Sequence, residues 1–223
     1  MKSGLLNINW NKVKEFNDED ISYYLFLEDK SIDAIAFIRN ISREKVQEHI
    51  IQGKMKFGIL SRCKNEDELF QYLCKVSKEE RQRGFSYLTY ELKKKLVNYI
   101  VSNYYSMDYL GKEKAIWILG ELNFKEGIKI LLKASVHNNV NMRRLAVSAL
   151  GKMQCEEGEM ALIRALEDDN SQVVSYAIKS LTKLQSSKAK EKILNILNTT
   201  DKEYIKVQCR EYLRCKDAGG EEE

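Results

Sequence analysis

The chain has 223 residues, 43% of them hydrophobic, enough for one extended helical array or two small domains. Its 37 basic and 33 acidic residues leave a formal net charge of +4, too little to demand a nucleic-acid partner by itself. Five cysteines without a CxxC pair, beside only His49 and His137, exclude zinc-type ligand spacing and predict no metal or cofactor site.

The odd cysteine count favours a reducing compartment, with the thiols as small buried residues. No apolar run approaches the ~18 residues of a membrane span. The apolar stretch in Gly4–Trp10 also breaks off too early for a signal-peptide core, so a cytoplasmic chain that does not enter membranes is expected. Proline is absent throughout, so no helix need lose a backbone donor or kink. An all-α fold follows.

In chain order, Trp10, Val13 and Phe16 share one helical face behind Asn9 as cap, which predicts a short packing helix. Residues 20–51 then read as three helices. Ser31 caps one through Ile35, Ala36 and Ile38, Asn40 supplies a turn, and Ser42 caps the next, with Val46 and Ile50 inward and His49 on the packed side. Two capped helices across so short a turn make a helix-turn-helix pattern.

Through Lys30-Ser-Ile, Ile35-Ala36, Ile41-Ser42, Val46 and His49-Ile50, this segment resembles the helix-turn-helix near the C-terminus of RecQ-family helicases. More distantly it is similar to LuxR-type recognition units. The resemblance implies that the second helix contacts DNA, with Arg43 and Lys45 for phosphate or guanine and Gln47 for adenine. Glu44 and Glu48 place negative charge on the same face, and residues 1–57 carry nine basic and nine acidic side chains, so no net positive field supports that contact. A helical cap on the first repeat, or a dock for a partner protein, is the competing reading of residues 1–57.

Gly53 and Gly58 interrupt the helical pattern and mark the expected boundary between this module and residues 58–216. Amphipathic grammar resumes with Leu69, Phe70, Tyr72, Leu73 and Val76, then Phe85, Leu88, Leu92, Leu96, Ile100 and Val101. Lys93-Lys94-Lys95 followed by Tyr99, Tyr104, Tyr105 and Tyr109 is the most basic and aromatic passage. Such interleaving suits single-stranded nucleic acid, but the helical spacing suits packing between layers better.

From here a step of 31 residues organises the chain. Ala115, Ala146 and Ala177 are in register, as are Ile116, Val147 and Ile178, then Leu119, Leu150 and Leu181. A second block keeps the step, with Gly127, Gly158 and Ala189, then Leu131, Leu162 and Ile193. Each unit therefore predicts an antiparallel helix pair. A single pair cannot bury its second apolar stripe, so the pairs must stack as a solenoid.

Phe85, Leu88, Ile100 and Val101 stand one step before Ile116, Leu119, Leu131 and Leu132, which predicts a degenerate first repeat. Cys209, Tyr212 and Cys215 carry the register into a decaying last one, ahead of a solvated acidic tail over 217–223. Met142-Arg-Arg-Leu-Ala-Val-Ser-Ala-Leu-Gly-Lys-Met153, with Glu157-Gly158 and Ala161-Leu-Ile-Arg-Ala-Leu166, resembles the short, bilin-lyase-like (PBS-lyase-like) variety of HEAT repeat. That resemblance implies a scaffold or binding surface, and it says little about chemistry.

The second helices alternate in sign. Lys125, Lys129 and Lys133 are followed by Glu156, Glu157 and Glu159, then by Lys188, Lys190 and Lys192. A patchwork suits a protein partner better than a uniform phosphate backbone, and Lys93, Lys94, Lys125, Lys129 and Lys133 are the expected partner-binding residues. Arg143 and Arg144 are expected to pair with acidic residues of the preceding turn or a neighbouring unit.

No Gly-rich phosphate loop, GxSxG or HExxH is present, so no catalytic residue or small-molecule substrate is expected. The strongest enzymatic alternative is a resemblance to HEAT-like alkylpurine DNA glycosylases, through Trp117 and Glu121 on one helix, where Trp117 reads more simply as interlayer packing. The sequence therefore predicts a HEAT-like α-solenoid with an N-terminal helix-turn-helix-like module, acting as a non-enzymatic adaptor for a protein, with DNA as a second candidate partner.

Overall fold

Asparagine, aspartate and serine oxygens start most of the helices, because the first backbone N–H groups of a helix have no partner within it. The computed structural model describes residues 4–6 and 8–217. Among them stand thirteen α-helices and no strand, in two compact units, residues 1–99 and 100–223. In the first unit lie α1 (Asp18–Leu27), α2 (Ile32–Arg39), α3 (Arg43–Arg62), α4 (Glu66–Lys75) and α5 (Lys78–Tyr87), while α6 (Tyr90–Asn103) runs across the division. The second holds α7 (Tyr109–Leu122), α8 (Ile128–Ala134), α9 (Val140–Met153), α10 (Glu156–Arg164), α11 (Ser171–Leu184), α12 (Lys190–Thr199) and α13 (Glu203–Asp217).

In the first unit, Ser31 and Ser42 cap α2 and α3 as expected, and Asn40 takes a left-handed conformation (φ 52°, ψ 47°) between them. Two polar clusters tie α1 to its neighbours. Lys56 Nζ donates to both carboxylate oxygens of the buried Asp20, at 2.9 and 2.8 Å. Ser22 Oγ accepts from Arg39 at 2.6 Å and lies 3.0 Å from Nδ1 of His49, which is buried and has this structural partner.

Neither Gly53 nor Gly58 ends a helix. Both lie inside α3, which continues to Arg62, so the expected boundary after residue 57 falls within a continuous helix. The reason at Gly53 is packing, since a Cβ there would collide with the ring of Tyr23, itself 2% exposed. Nearer the N-terminus, residues Trp10–Glu15 form a 3₁₀ turn. Trp10 packs edge-on against Phe16 and Tyr24 and donates to Glu28 at 2.6 Å, while Val13 is exposed instead of sharing that face.

The second unit repeats its backbone devices at the 31-residue step. Asp108, Asn139 and Asn170 cap α7, α9 and α11, each accepting from a backbone N–H of the first turn. Asn123, Gln154 and Gln185 end the same helices in the left-handed region, at φ 56°, 47° and 52°. The core keeps the step too. Ala115, Ala146, Ala177, Ile116, Val147 and Ile178 are all 0% exposed, and Leu131, Leu162 and Ile193 at most 1%.

The register weakens at the end. Cys209 and Tyr212 are buried, and Tyr212 Oη donates to the Ser186 carbonyl, but Cys215 is exposed where an inward position was expected. Residues 218–223 of the expected tail lie outside the described residues.

Candidate functional site

Close contact between first helices of successive repeats shapes the surface of the second unit. A Cβ on Gly120 of α7 would stand 2.6 Å from Cβ of Ala149 on α9. One step on, Gly151 of α9 meets Ser180 of α11, whose Oγ donates to the Val147 carbonyl at 3.2 Å. The next pair in this register is Thr182 and Glu211, with neither a glycine nor a small partner, and both line a groove of about 280 Å³ bounded by α9, α11 and α13. Lys152, Lys179 and Lys183 bring cations to this groove, Tyr176 an aromatic face and Gln208 a buried amide. The Gln208 Oε1 atom has no hydrogen-bond partner among the described residues.

Beside the groove, aromatic rings and cations interleave. Lys152 Nζ pairs with Glu121 and lies 5.6 Å from the Trp117 ring. Arg144 sits 5.6 Å and Lys179 6.0 Å from the Tyr176 ring. Trp117 is half-buried, so it does not simply fill an interlayer gap. The ion pair also occupies the Glu121 carboxylate that the glycosylase alternative would require as a base. Sequence reading passed over Lys152, Lys179 and Lys183, although Lys152 and Lys183 are themselves one step apart on successive first helices.

Arg143 is structural, as expected, whereas Arg144 donates to the Asn141 amide oxygen and pairs with no carboxylate among the described residues. The Nε and Nη2 of Arg143 donate to the two Asp168 carboxylate oxygens at 2.6 and 2.9 Å, and its Nη1 reaches the carbonyls of His137 and Asn138, both at 3.0 Å. This fork clamps the turn before α9 to the turn before α11. Burial opposes ionisation of Asp168, but hydrogen bonds from Arg143 and the Asn170 backbone, with the guanidinium charge, hold its carboxyl below the ordinary value.

On the second helices the alternating charges partly cancel. Lys188 pairs with Glu159 at 2.5 Å and Lys192 with Glu167 at 2.6 Å. Lys125, Lys129 and Lys133 are exposed, with Lys125 in a 3₁₀ turn before α8 and the Lys133 ammonium 4.7 Å from the Tyr105 ring. Lys93 and Lys94 are half-buried on α6. Nearby, Tyr99 donates to Asp67, Tyr104 is buried with its hydroxyl pushed up to about 12 by desolvation, and Tyr109 donates to Asn139 at 3.1 Å. Tyr105, though exposed, packs edge-on against Tyr104, so all four tyrosines are engaged in structure.

In the first unit Arg43, Lys45 and Gln47 are exposed on the first turns of α3. Arg43 is paired with Asp33, and Lys45 with Glu48 at 2.8 Å. Glu44 and Glu48 keep their charge: hydrogen bonds from its own backbone and Ser42 hold Glu44 low, and that from Lys45 holds Glu48 low. Among the described residues no group of histidine, cysteine or carboxylate side chains is placed to hold a metal ion, and no helix is long and apolar enough to cross a membrane.

The family model for HEAT repeats matches residues 137–214. No curated protein matches the chain. Among solved structures, the crystal structure of an engineered protein is similar over 92% of this chain and 98% of that chain, with 18% identity and a TM-score of 0.47. The stacked helix pairs over residues 137–214 are therefore similar to HEAT repeats, and the described residues on either side are helical without strands.

Proposed function

We propose that this protein is a non-enzymatic scaffold that holds a protein partner on its helical repeats. The supporting observation is the groove bounded by α9, α11 and α13, lined by Lys152, Lys179, Lys183 and Tyr176, with the Trp117 ring 5.6 Å from the Lys152 ammonium. Interleaved cations and aromatic surface are what a desolvated protein contact uses. Residues 100–223 hold nineteen basic and eighteen acidic side chains, so the patch is local and lacks the broad positive field that a nucleic-acid backbone would need. The exposed Lys125, Lys129 and Lys133 are the second candidate surface for the same role, and the half-buried Lys93 and Lys94 of α6 are a separate candidate in the first unit.

Charge reversal separates the two surfaces of the second unit. Lys152→Glu with Lys179→Glu and Lys183→Glu should weaken recovery of the specific partner in quantitative affinity purification by about tenfold or more. Lys125→Glu with Lys129→Glu and Lys133→Glu should leave it within about twofold. The reverse result would move the interface to the second helices, and two unchanged recoveries would end the reading of the repeats as the partner surface.

DNA contact by Arg43, Lys45 and Gln47 is the weaker proposal, because both cations already have carboxylate partners. Fluorescence anisotropy of labelled duplex should show no salt-dependent binding at physiological ionic strength. Binding that weakens steeply with salt, with a log–log slope reduced by about 2 in Arg43→Ala with Lys45→Ala, would establish the helix-turn-helix reading instead.

A further inference from the structure

α3 spends a glycine where nothing in the fold requires one. Gly58 lies in the interior of this twenty-residue helix with no positive φ, and a Cβ built on it would meet nothing within 4 Å. Glycine there weakens the helix relative to alanine by loosening the unfolded chain. Gly53, by contrast, is demanded by Tyr23, while a Cβ on Gly84 of α5 would meet the movable end of Ile59, 2.7 Å from its Cδ1.

The open space above Gly58 is a groove of about 390 Å³ between α3, α4 and α5, wholly within residues 1–99. Met55, Ile59 and Tyr87 give it apolar walls, and Lys54, Arg62 and Arg83 bring positive charge. Among the described lining residues the one carboxylate, Glu80, accepts from the Tyr72 hydroxyl at 2.8 Å. Neither Arg62 nor Arg83 has a side-chain ion-pair partner among the described residues, whereas Arg39, Arg43, Arg143 and Arg210 all do. The apolar surface continues along the same helix face. Met55 is 75% exposed, and Ile51, one turn earlier, is 59% exposed.

We infer that this groove docks an acidic amphipathic helix of a partner protein, its backbone passing over Gly58, its apolar residues on Met55, Ile59 and Tyr87, and its carboxylates on Arg62 and Arg83. Charge complementarity selects the occupant. Two guanidiniums that form no ion pair among the described residues, with a fixed fork geometry, suit carboxylates, and a flexible methionine adapts to the apolar face of a helix laid into a groove. The surface is independent of the groove on the repeats, so either can fail alone.

The test uses the full chain and a labelled amphipathic peptide of leucine and glutamate, with a leucine and glutamine peptide as the uncharged control, read by anisotropy. The acidic peptide should bind at least about tenfold tighter than the control. Gly58→Leu should abolish binding while melting at or above the wild-type temperature, because the new side chain enters open space and favours the helix. Arg62→Gln with Arg83→Gln should weaken binding by about tenfold or more.

Equal affinity in Gly58→Leu, or no binding of the acidic peptide by wild type, overturns the inference. So does capture of a labelled oligonucleotide instead of the peptide through the same arginines, or self-association of the chain that Gly58→Leu removes.

Discussion

Leu150→Ala should lower the unfolding free energy by roughly 2–5 kcal/mol, the cost of deleting a packed leucine and leaving part of its volume empty. Leu150 is 1% exposed at the centre of the 31-residue step, between Leu119 at 1% and Leu181 at 0%. Its Cδ2 lies 3.3 Å from the position a Cβ on Gly158 would take, so the side chain is wedged against the start of α10 and the turn cannot readily close over a void. Urea denaturation should show the loss as a lower midpoint at unchanged slope. Leu194→Ala is the control, because Leu194, although in register with the buried Ile163, is 39% exposed. A cost under about 1 kcal/mol for Leu150→Ala would mean that the stacked pairs do not share one core.

Arg143→Ala should cost about 3 kcal/mol, because it leaves the Asp168 carboxylate, whose side chain is only 9% exposed, without its partner. The same change releases the carbonyls of His137 and Asn138, which belong to the turn that starts α9. Asp168→Asn should couple strongly to Arg143→Ala in a double-mutant cycle.

The pH dependence has a definite sign. The Asp168 pKa is depressed below its ordinary 3.8 in the folded chain, so the stability it contributes is fully present above that value and is lost as pH falls through the folded pKa. The stability gap between wild type and Asp168→Asn should therefore be widest near neutrality and shrink in acid. A gap that stays constant into acid would show that the clamp works by shape alone.

The helical architecture was legible because two signals in the chain are local. Apolar residues recurring at helical spacing must face inward, and side-chain oxygens at helix starts satisfy backbone donors wherever the chain goes next. That is why Ala115, Ala146 and Ala177 could be named as core, and why Ser31, Ser42 and the structural roles of His49 and Arg143 were readable from residue type and position.

What the sequence could not determine depends on which distant residues meet. A glycine reads as a break until Tyr23 of α1 is known to pack against α3, and only then does Gly53 become a packing requirement inside a continuous helix. The alternating charges of the second helices looked available until Glu159 met Lys188 and Glu167 met Lys192 across successive turns. The pairing of Arg43 with Asp33 of α2 likewise needed the fold, whereas the Lys45–Glu48 pair is local to α3.

The groove on the repeats is the clearest case. Gly120 and Gly151 admit close contact with Ala149 and Ser180, but Thr182 and Glu211 stand at the next step of that register. Whether a step of equal length closes tightly or leaves a recess is set by side-chain volume on both facing helices, and that pairing exists only once the chain has folded.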